Sequence, residues 1–154
     1  SVNNEKVRIA RLANVFGKDF FSGNFLTKII KSALVKGEIN LQSDLDSSKD
    51  YVDINSVVDV IRRISESSRN RIYNVASGYN ISHKEIVHLL RDLTGCSLTV
   101  AEGASANKWS LINIDRIRKE FDFKSLCLTD EIEGLVNEFK KNLLRERSDR
   151  QRAD

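Results

Sequence analysis

Short strand-like runs alternate with amphipathic segments along most of this chain, and this alternation constrains its fold more than any other feature. Runs rich in Val, Ile and Leu predict strands over residues 7–16, 37–43, 50–54, 71–77 and 97–101. Apolar residues at three- and four-residue spacing predict helices over residues 22–37 and 82–95, and further helices that begin near residues 55, 115 and 129. Because alternating strands and helices are typical of sheets with parallel pairing, we predict an α/β fold.

Polar residues and glycines at the ends of the helical segments support this assignment. Ser82 and Glu85 form the S-x-x-E pattern of a capping box, and Gly95 stands where the same helix should end. Ser56 and Asp59 fit the same start pattern. We therefore predict that the second long helix starts at residue 55 or 56.

The composition describes one soluble globular domain. The chain has 154 residues, of which 40% are hydrophobic and 31% are charged, and its formal net charge is only +3. This charge is too small to indicate a nucleic-acid partner, and no apolar run is long enough to span a membrane. Arginines alternate with acidic residues over 145–154, which is typical of a solvated helix end. We predict a domain over 1–144 and a disordered basic tail over 145–154.

Motifs for catalysis, metal binding and phosphate binding are absent from the sequence. No G-x-G-x-x-G and no Tyr-x-x-x-Lys occurs, and His83 and His88 are five residues apart, whereas two ligands on one helix face need a spacing of four. We therefore predict no catalytic residue and no metal site in this chain. Cys96 and Cys127 lie outside any C-x-x-C pattern and are typical of reduced thiols, so we expect a cytoplasmic protein. Because the chain has no methionine, we expect it to be a fragment of a longer protein.

Six segments, taken in order, resemble a single family. They are RLANVFG, a helix opening with NFL, GEINLQSD, KDYVDINSVVDVI, IYNVASGYNISHKEI and IDRIRKEFDFK. From about Val7 to about Lys141 the chain resembles the C-terminal part of the extended short-chain dehydrogenase/reductases, the NAD-dependent sugar-nucleotide epimerases and dehydratases. The resemblance implies the C-terminal part of an extended Rossmann-type fold, a small sheet with flanking helices. The Rossmann half would precede Ser1 and would be missing here.

The resemblance also implies the chemistry of a whole enzyme. Enzymes of this family oxidise a sugar hydroxyl to a ketone by hydride transfer to NAD(P), and then epimerise, eliminate or reduce. The missing half would hold NAD(P) and the catalytic Tyr-x-x-x-Lys, so we expect this chain alone to bind no NAD(P) and to be inactive. The implied partner is a nucleotide sugar, and the whole enzyme is expected to be a homodimer. The alternative is a stand-alone, non-catalytic module that binds a protein through exposed strand edges and the basic tail.

Five residues match positions at which the family binds its substrate. Asn14 matches an asparagine that hydrogen-bonds the diphosphate–sugar region, and Lys49 matches an arginine that contacts the diphosphate. Asn24 matches a polar position at the head of the helix that caps the nucleotide. Asn40 and Gln42 fall where the family borders the base. Each also has a purely structural interpretation: a turn contact for Asn14, a helix cap for Asn24, and solvent exposure for the other three.

The segment AEGASANKW, residues 101–109, departs from the family pattern. Many relatives carry R-x-G-D here, which supplies a phosphate-binding arginine and a ribose-binding aspartate, whereas Lys108 is the only cation nearby in this chain. Trp109 could stack on a base, but we expect it to pack in the core. Tyr51 is likewise assigned to packing rather than to chemistry.

Overall fold

Strands and helices alternate in the computed structural model, which describes residues 7–153. The elements, in chain order, are β1 (Ile9–Leu12), β2 (Asn14–Phe16), α1 (Phe25–Val35), β3 (Glu38–Leu41), β4 (Ser48–Asp53), α2 (Ile54–Ser67), β5 (Ile72–Val75), β6 (Asn80–Ser82), α3 (His83–Thr94), β7 (Ser97–Val100), α4 (Asp115–Phe121) and α5 (Leu128–Ala153). The α/β prediction is confirmed. The chain forms two compact units, each assembled from three separate segments.

The first unit comprises residues 7–17, 49–81 and 109–128 of the described chain. Its β1 pairs with β5, and its β2 pairs with β4, both in parallel. The second pairing belongs to a three-stranded sheet in the order β2-β4-β6. The predicted parallel pairing is therefore confirmed, and β4 lies in the middle of its sheet.

The predicted single strand over residues 7–16 is wrong, because the chain changes partner at Ala13. Before this residue β1 pairs with β5, and the Ala13 N–H still donates to the Val75 carbonyl at 3.0 Å. After it, Asn14 is in register with Tyr51 of β4. The apolar pattern continues through the break because both halves are strand, so the pattern contains no sign that the partner changes.

The core of the first unit lies between α2, α4 and the strands. Its buried residues are Val52, Val57, Val60, Ile64, Tyr73, Val75, Ala76, Ile114, Ile117, Phe121 and Phe123. The helix α2 starts at Ile54 and is capped by the Asp53 carboxylate, which accepts from the Ser56 N–H at 2.8 Å. The predicted cap at Ser56 is therefore wrong, because the observed cap lies three residues earlier, at Asp53. An aspartate at the end of a strand can also act as a cap.

A carboxylate holds the loop that leads into β5. Glu120 accepts hydrogen bonds from the Arg69 N–H at 2.6 Å, from the Asn70 side-chain amide at 2.8 Å and from the Tyr73 hydroxyl at 2.9 Å. Desolvation acts to raise the pKa of Glu120, but these hydrogen bonds together outweigh it, and the pKa lies below its ordinary value.

The second unit comprises residues 18–48, 82–108 and 129–153 of the described chain. Its sheet is the parallel pair β3 and β7, and α1 packs against both β3 and α3. The capping box at Ser82 and Glu85 is confirmed, and α3 ends at Gly95 in the left-handed conformation with φ of 69°. Phe20 packs edge-on against Phe139 of α5, with ring centroids 4.7 Å apart.

The helix α5 continues to Ala153, so it includes residues 145–153, for which we expected a disordered tail. Oppositely charged residues alternate along this stretch at spacings that favour a helix. The domain boundary at residue 144 stays a prediction. None of the helices in the described part of the chain is both long and apolar enough to cross a membrane.

Candidate functional site

A cleft of about 380 Å³ opens in the first unit, beside the carboxyl end of β1. It is lined by Leu12, Ala13, Asn14, Lys49, Asp50, Asn80, Trp109, Ser110 and Ile112. Ligands of α/β sheets bind beyond the carboxyl ends of parallel strands, so the position of the cleft is the one expected for a ligand site.

Asn14 is fixed in this cleft by its own side chain. Its Nδ2 donates to the backbone carbonyl of Asp50 at 2.9 Å, which ties the first residue of β2 to β4. Within the described residues its Oδ1 accepts no hydrogen bond, and the residue is exposed. The side chain is therefore held against β4, with its Oδ1 open to solvent or to a ligand.

Asp50 also lines the cleft, and we had not singled it out from the sequence. Its carboxylate is buried and accepts from the Ser77 N–H at 2.8 Å, the Ser77 hydroxyl at 2.9 Å and the Gly78 N–H at 2.8 Å. Three donors replace the water that a buried carboxylate loses. Asp50 thereby fixes the turn between β5 and β6. The sequence signal that could have identified Asp50 is an aspartate at the start of the strand predicted over residues 50–54.

Gly78 permits this turn. Its φ is +86°, which side chains rarely adopt, and an added Cβ would lie 2.8 Å from Cδ1 of Ile114. The backbone conformation of Gly78 directs its N–H toward the Asp50 carboxylate, so both residues are needed to hold this turn.

Asn80 and Trp109, which also line the cleft, are joined to each other. The Asn80 Nδ2 donates to the Trp109 carbonyl at 2.6 Å, while the Asn80 Oδ1 is buried and has no hydrogen-bond partner among residues 7–153. Trp109 is 65% exposed, so the expected core packing was wrong. It lies in an irregular segment without a helix or strand to carry its side chain into the core.

Lys49 lines the same cleft as Asn14, and the two are thus brought together as the motif match implied. Their contact with a substrate stays a prediction. Next to them in β4, Tyr51 is only 3% exposed, and burial raises the pKa of its phenol to about 12. A phenol with this pKa is neutral at pH 7, and the burial confirms that Tyr51 is a packing residue.

Asn24, Asn40 and Gln42 belong to the second unit. Asn24 caps α1, because its Oδ1 accepts from the Thr27 N–H at 2.8 Å. The exposed Asn40 donates to the Glu38 carboxylate at 3.0 Å, and Gln42 is exposed just after β3. The cap on α1 is thus observed, while substrate binding by these three residues stays a prediction.

Parallel strands with helices packed on them define the class of this protein as Rossmann-type α/β. A UDP-glucose 4-epimerase from Thermotoga maritima, solved with UDP-glucose, superposes with a TM-score of 0.72 at 21% identity, over 88% of this chain and 46% of that one. A dTDP-glucose 4,6-dehydratase from Bacillus anthracis, solved with NAD, gives a TM-score of 0.77 at 18% identity, over 88% and 45%. The chain therefore spans about half the length of these structures.

The sequence agrees with this class. Residues 3–76 match the model of the NAD dependent epimerase/dehydratase family. The resemblance to that family is thereby confirmed. No curated protein sequence matches the chain at a significant level.

Proposed function

We propose that this chain is the sugar-nucleotide-binding part of an NAD-dependent epimerase/dehydratase, that is, of a nucleotide-sugar 4-epimerase, dehydratase or reductase. The observation that carries the proposal is the cleft of the first unit, where Asn14 and Lys49 lie together in a segment that matches the family. The matched structures include complexes with UDP-glucose and with NAD, which supports a nucleotide sugar as the ligand.

The cleft offers complementary groups for such a ligand. The Lys49 ammonium attracts the negative diphosphate as a point charge, without the bidentate geometry of an arginine. The Asn14 Oδ1 accepts from a hydroxyl. The second unit, taken by itself, has three further candidates: the N-terminus of α1 at Asn24 favours phosphate oxygens, and Asn40 and Gln42 offer amides to a base.

NAD(P) is assigned to the whole enzyme and not to residues of this chain. The sequence has no glycine-rich phosphate-binding loop. We therefore propose that the chain alone is inactive. A thermal-shift titration with NAD and NADP should leave its melting temperature unchanged, and a saturable rise would contradict this part of the proposal.

Calorimetric titration with UDP-glucose and with dTDP-glucose tests the proposed ligand class. Lys49→Ala should weaken binding by roughly 1.5–3 kcal/mol, the range of a charge-assisted contact. Lys124→Ala is the matched control, because this lysine of the same unit has an 82% exposed side chain and does not line the cleft, and its loss should leave affinity unchanged. If neither nucleotide sugar binds, the proposed function is wrong. Equal affinities of the Lys49 variant and the unmodified chain would remove Lys49 from the site.

We propose further that the whole enzyme is a cytoplasmic homodimer that binds neither membrane nor nucleic acid. Within the described residues Cys96 and Cys127 form no disulfide, which supports a reducing compartment. Light scattering of the native enzyme tests the dimer, and a monomeric mass would contradict it.

A non-catalytic protein-binding module is the second candidate. It is favoured by the apolar side chains exposed on and just before β1, because Val7, Ile9 and Leu12 are 40–47% exposed. The mass of the native polypeptide separates the candidates. A polypeptide about twice this length supports the enzyme, and one of about this length supports the module.

A further inference from the structure

We propose that Trp109 is the sugar-binding surface of the cleft and stacks on the hexose ring of the bound nucleotide sugar. This inference rests on the proposed function and assigns a role to a residue that no family motif covers.

The first argument is the combination of exposure and position. Trp109 lines a concave cleft and is 65% exposed, so an aromatic surface is available to a ligand there. Its backbone carbonyl is held by the Asn80 side chain at 2.6 Å, which fixes the main chain at this position before a ligand arrives. Ligand sites typically combine such an aromatic surface with a few polar groups that fix orientation.

The second argument comes from the polarity of the amides around it. Asn14 uses its NH₂ group on the Asp50 carbonyl, and Asn80 uses its own on the Trp109 carbonyl. The exposed Asn14 amide retains its Oδ1, which accepts, and one N–H, which donates, whereas the Asn80 Oδ1 is buried. A sugar hydroxyl both donates and accepts and can use both groups of Asn14, whereas a phosphate oxygen only accepts and can use the N–H alone. Asn14 therefore favours the sugar, and Lys49 favours the diphosphate.

The third argument is size. The cleft of about 380 Å³ is at the small end of the range of roughly 300–1,000 Å³ that ligand pockets occupy. It suits one ring with its attached phosphate better than a whole nucleotide sugar. We infer that the hexose enters this cleft and the nucleoside remains outside it.

The sequence makes a direct test available, because Trp109 is the sole tryptophan of the chain. Its fluorescence is titrated with UDP-glucose and with UDP, and calorimetry on the same samples reports binding independently. UDP-glucose should shift the emission of Trp109 to shorter wavelength as it saturates. UDP should bind without this shift, because it lacks the hexose. Emission that stays constant over a hundredfold range of protein concentration excludes self-association as the cause.

Two substitutions complete the test. Trp109→Ala should weaken UDP-glucose binding by about tenfold and leave UDP binding unchanged, while Trp109→Phe should retain affinity within about threefold because a ring remains. Asn80→Ala should reduce the UDP-glucose-induced shift without changing UDP affinity.

The outcomes distinguish a failure of the inference about Trp109 from a failure of the proposed function. If UDP-glucose binds by calorimetry but the emission does not change, Trp109 is not the sugar surface, although the proposed function stands. An equal shift with UDP would place the nucleotide rather than the hexose against Trp109 and would also overturn the inference. If neither UDP-glucose nor dTDP-glucose binds at all, the proposed function fails and this inference fails with it.

Discussion

Replacement of Asp50 by asparagine should destabilise the first unit strongly, although the two side chains have nearly the same shape. The carboxylate accepts three hydrogen bonds, two from Ser77 and one from the Gly78 N–H, all between 2.8 and 2.9 Å. Asparagine has a single acceptor oxygen. With Oδ1 turned to Ser77, its NH₂ group would face the Gly78 N–H, and two donors cannot bond to each other.

The magnitude follows from these contacts. A shielded N–H left without an acceptor costs about 1–3 kcal/mol, and each bond that loses its charged acceptor loses about 1 kcal/mol. The Gly78 N–H and the two Ser77 donors together give a loss of about 3–5 kcal/mol in the free energy of unfolding. This is a large part of the roughly 5–15 kcal/mol that stabilises an ordinary domain.

Urea unfolding followed by circular dichroism measures this effect. With a slope of about 2 kcal/mol per molar urea, the midpoint of Asp50→Asn should fall by about 2 M. Ser77→Ala is the matched control, because it removes the hydroxyl and its bonds to Asp50 and Tyr79 but leaves the Ser77 and Gly78 N–H groups on the carboxylate, and it should cost about 1–2 kcal/mol. If Asp50→Asn unfolds within 0.5 M of the unmodified chain, the carboxylate does not hold the turn and the reasoning is refuted.

Two further predictions concern the same unit. Gly78→Ala should lower the free energy of unfolding by about 1–3 kcal/mol, since φ is +86° and the new Cβ would meet Ile114. The control is Gly37→Ala, where φ is +69° but the space is open, and it should lose only about 1 kcal/mol. Equal losses in urea unfolding would exclude the contact with Ile114. Hydrogen bonds, among them the one from the Tyr73 hydroxyl, lower the pKa of Glu120 in the folded state, so the unfolded state binds the proton more readily. The stabilisation that Glu120 contributes is therefore full above the ordinary glutamate pKa and declines as pH falls through the folded pKa. Glu120→Gln should flatten the dependence of the urea midpoint on pH below about 5, and an unchanged slope would contradict the assignment.

Local signals explain which parts of the fold were predictable. The capping box of Ser82 and Glu85 involves residues three apart, and the stop at Gly95 depends on one residue, so the sequence contains the whole interaction. The break at Ala13 depends on which strand lies beside each half, and these partners are about 40 to 60 residues further along the chain. No local pattern encodes that choice.

The candidate site divides in the same way. Asn14 and Lys49 were found because they stand in recognisable motifs, and the structure brings both to one cleft. The role of Asp50 could not be found, since its donors at Ser77 and Gly78 lie 27 and 28 residues away. The exposure of Trp109 was also missed, because aromatic residues are usually buried and nothing in the irregular segment around it indicates otherwise.

The position of β4 in the middle of its sheet explains why one short segment carries so many different roles. Asp50, Tyr51, Val52 and Asp53 are all buried, as expected for a strand with neighbours on both sides. A charged residue in such a strand must find donors nearby. The donors to Asp50 lie in the turn between β5 and β6, and the Ser56 N–H at the start of α2 donates to Asp53. Near the start of the same strand, Lys49 and Asp50 line the cleft.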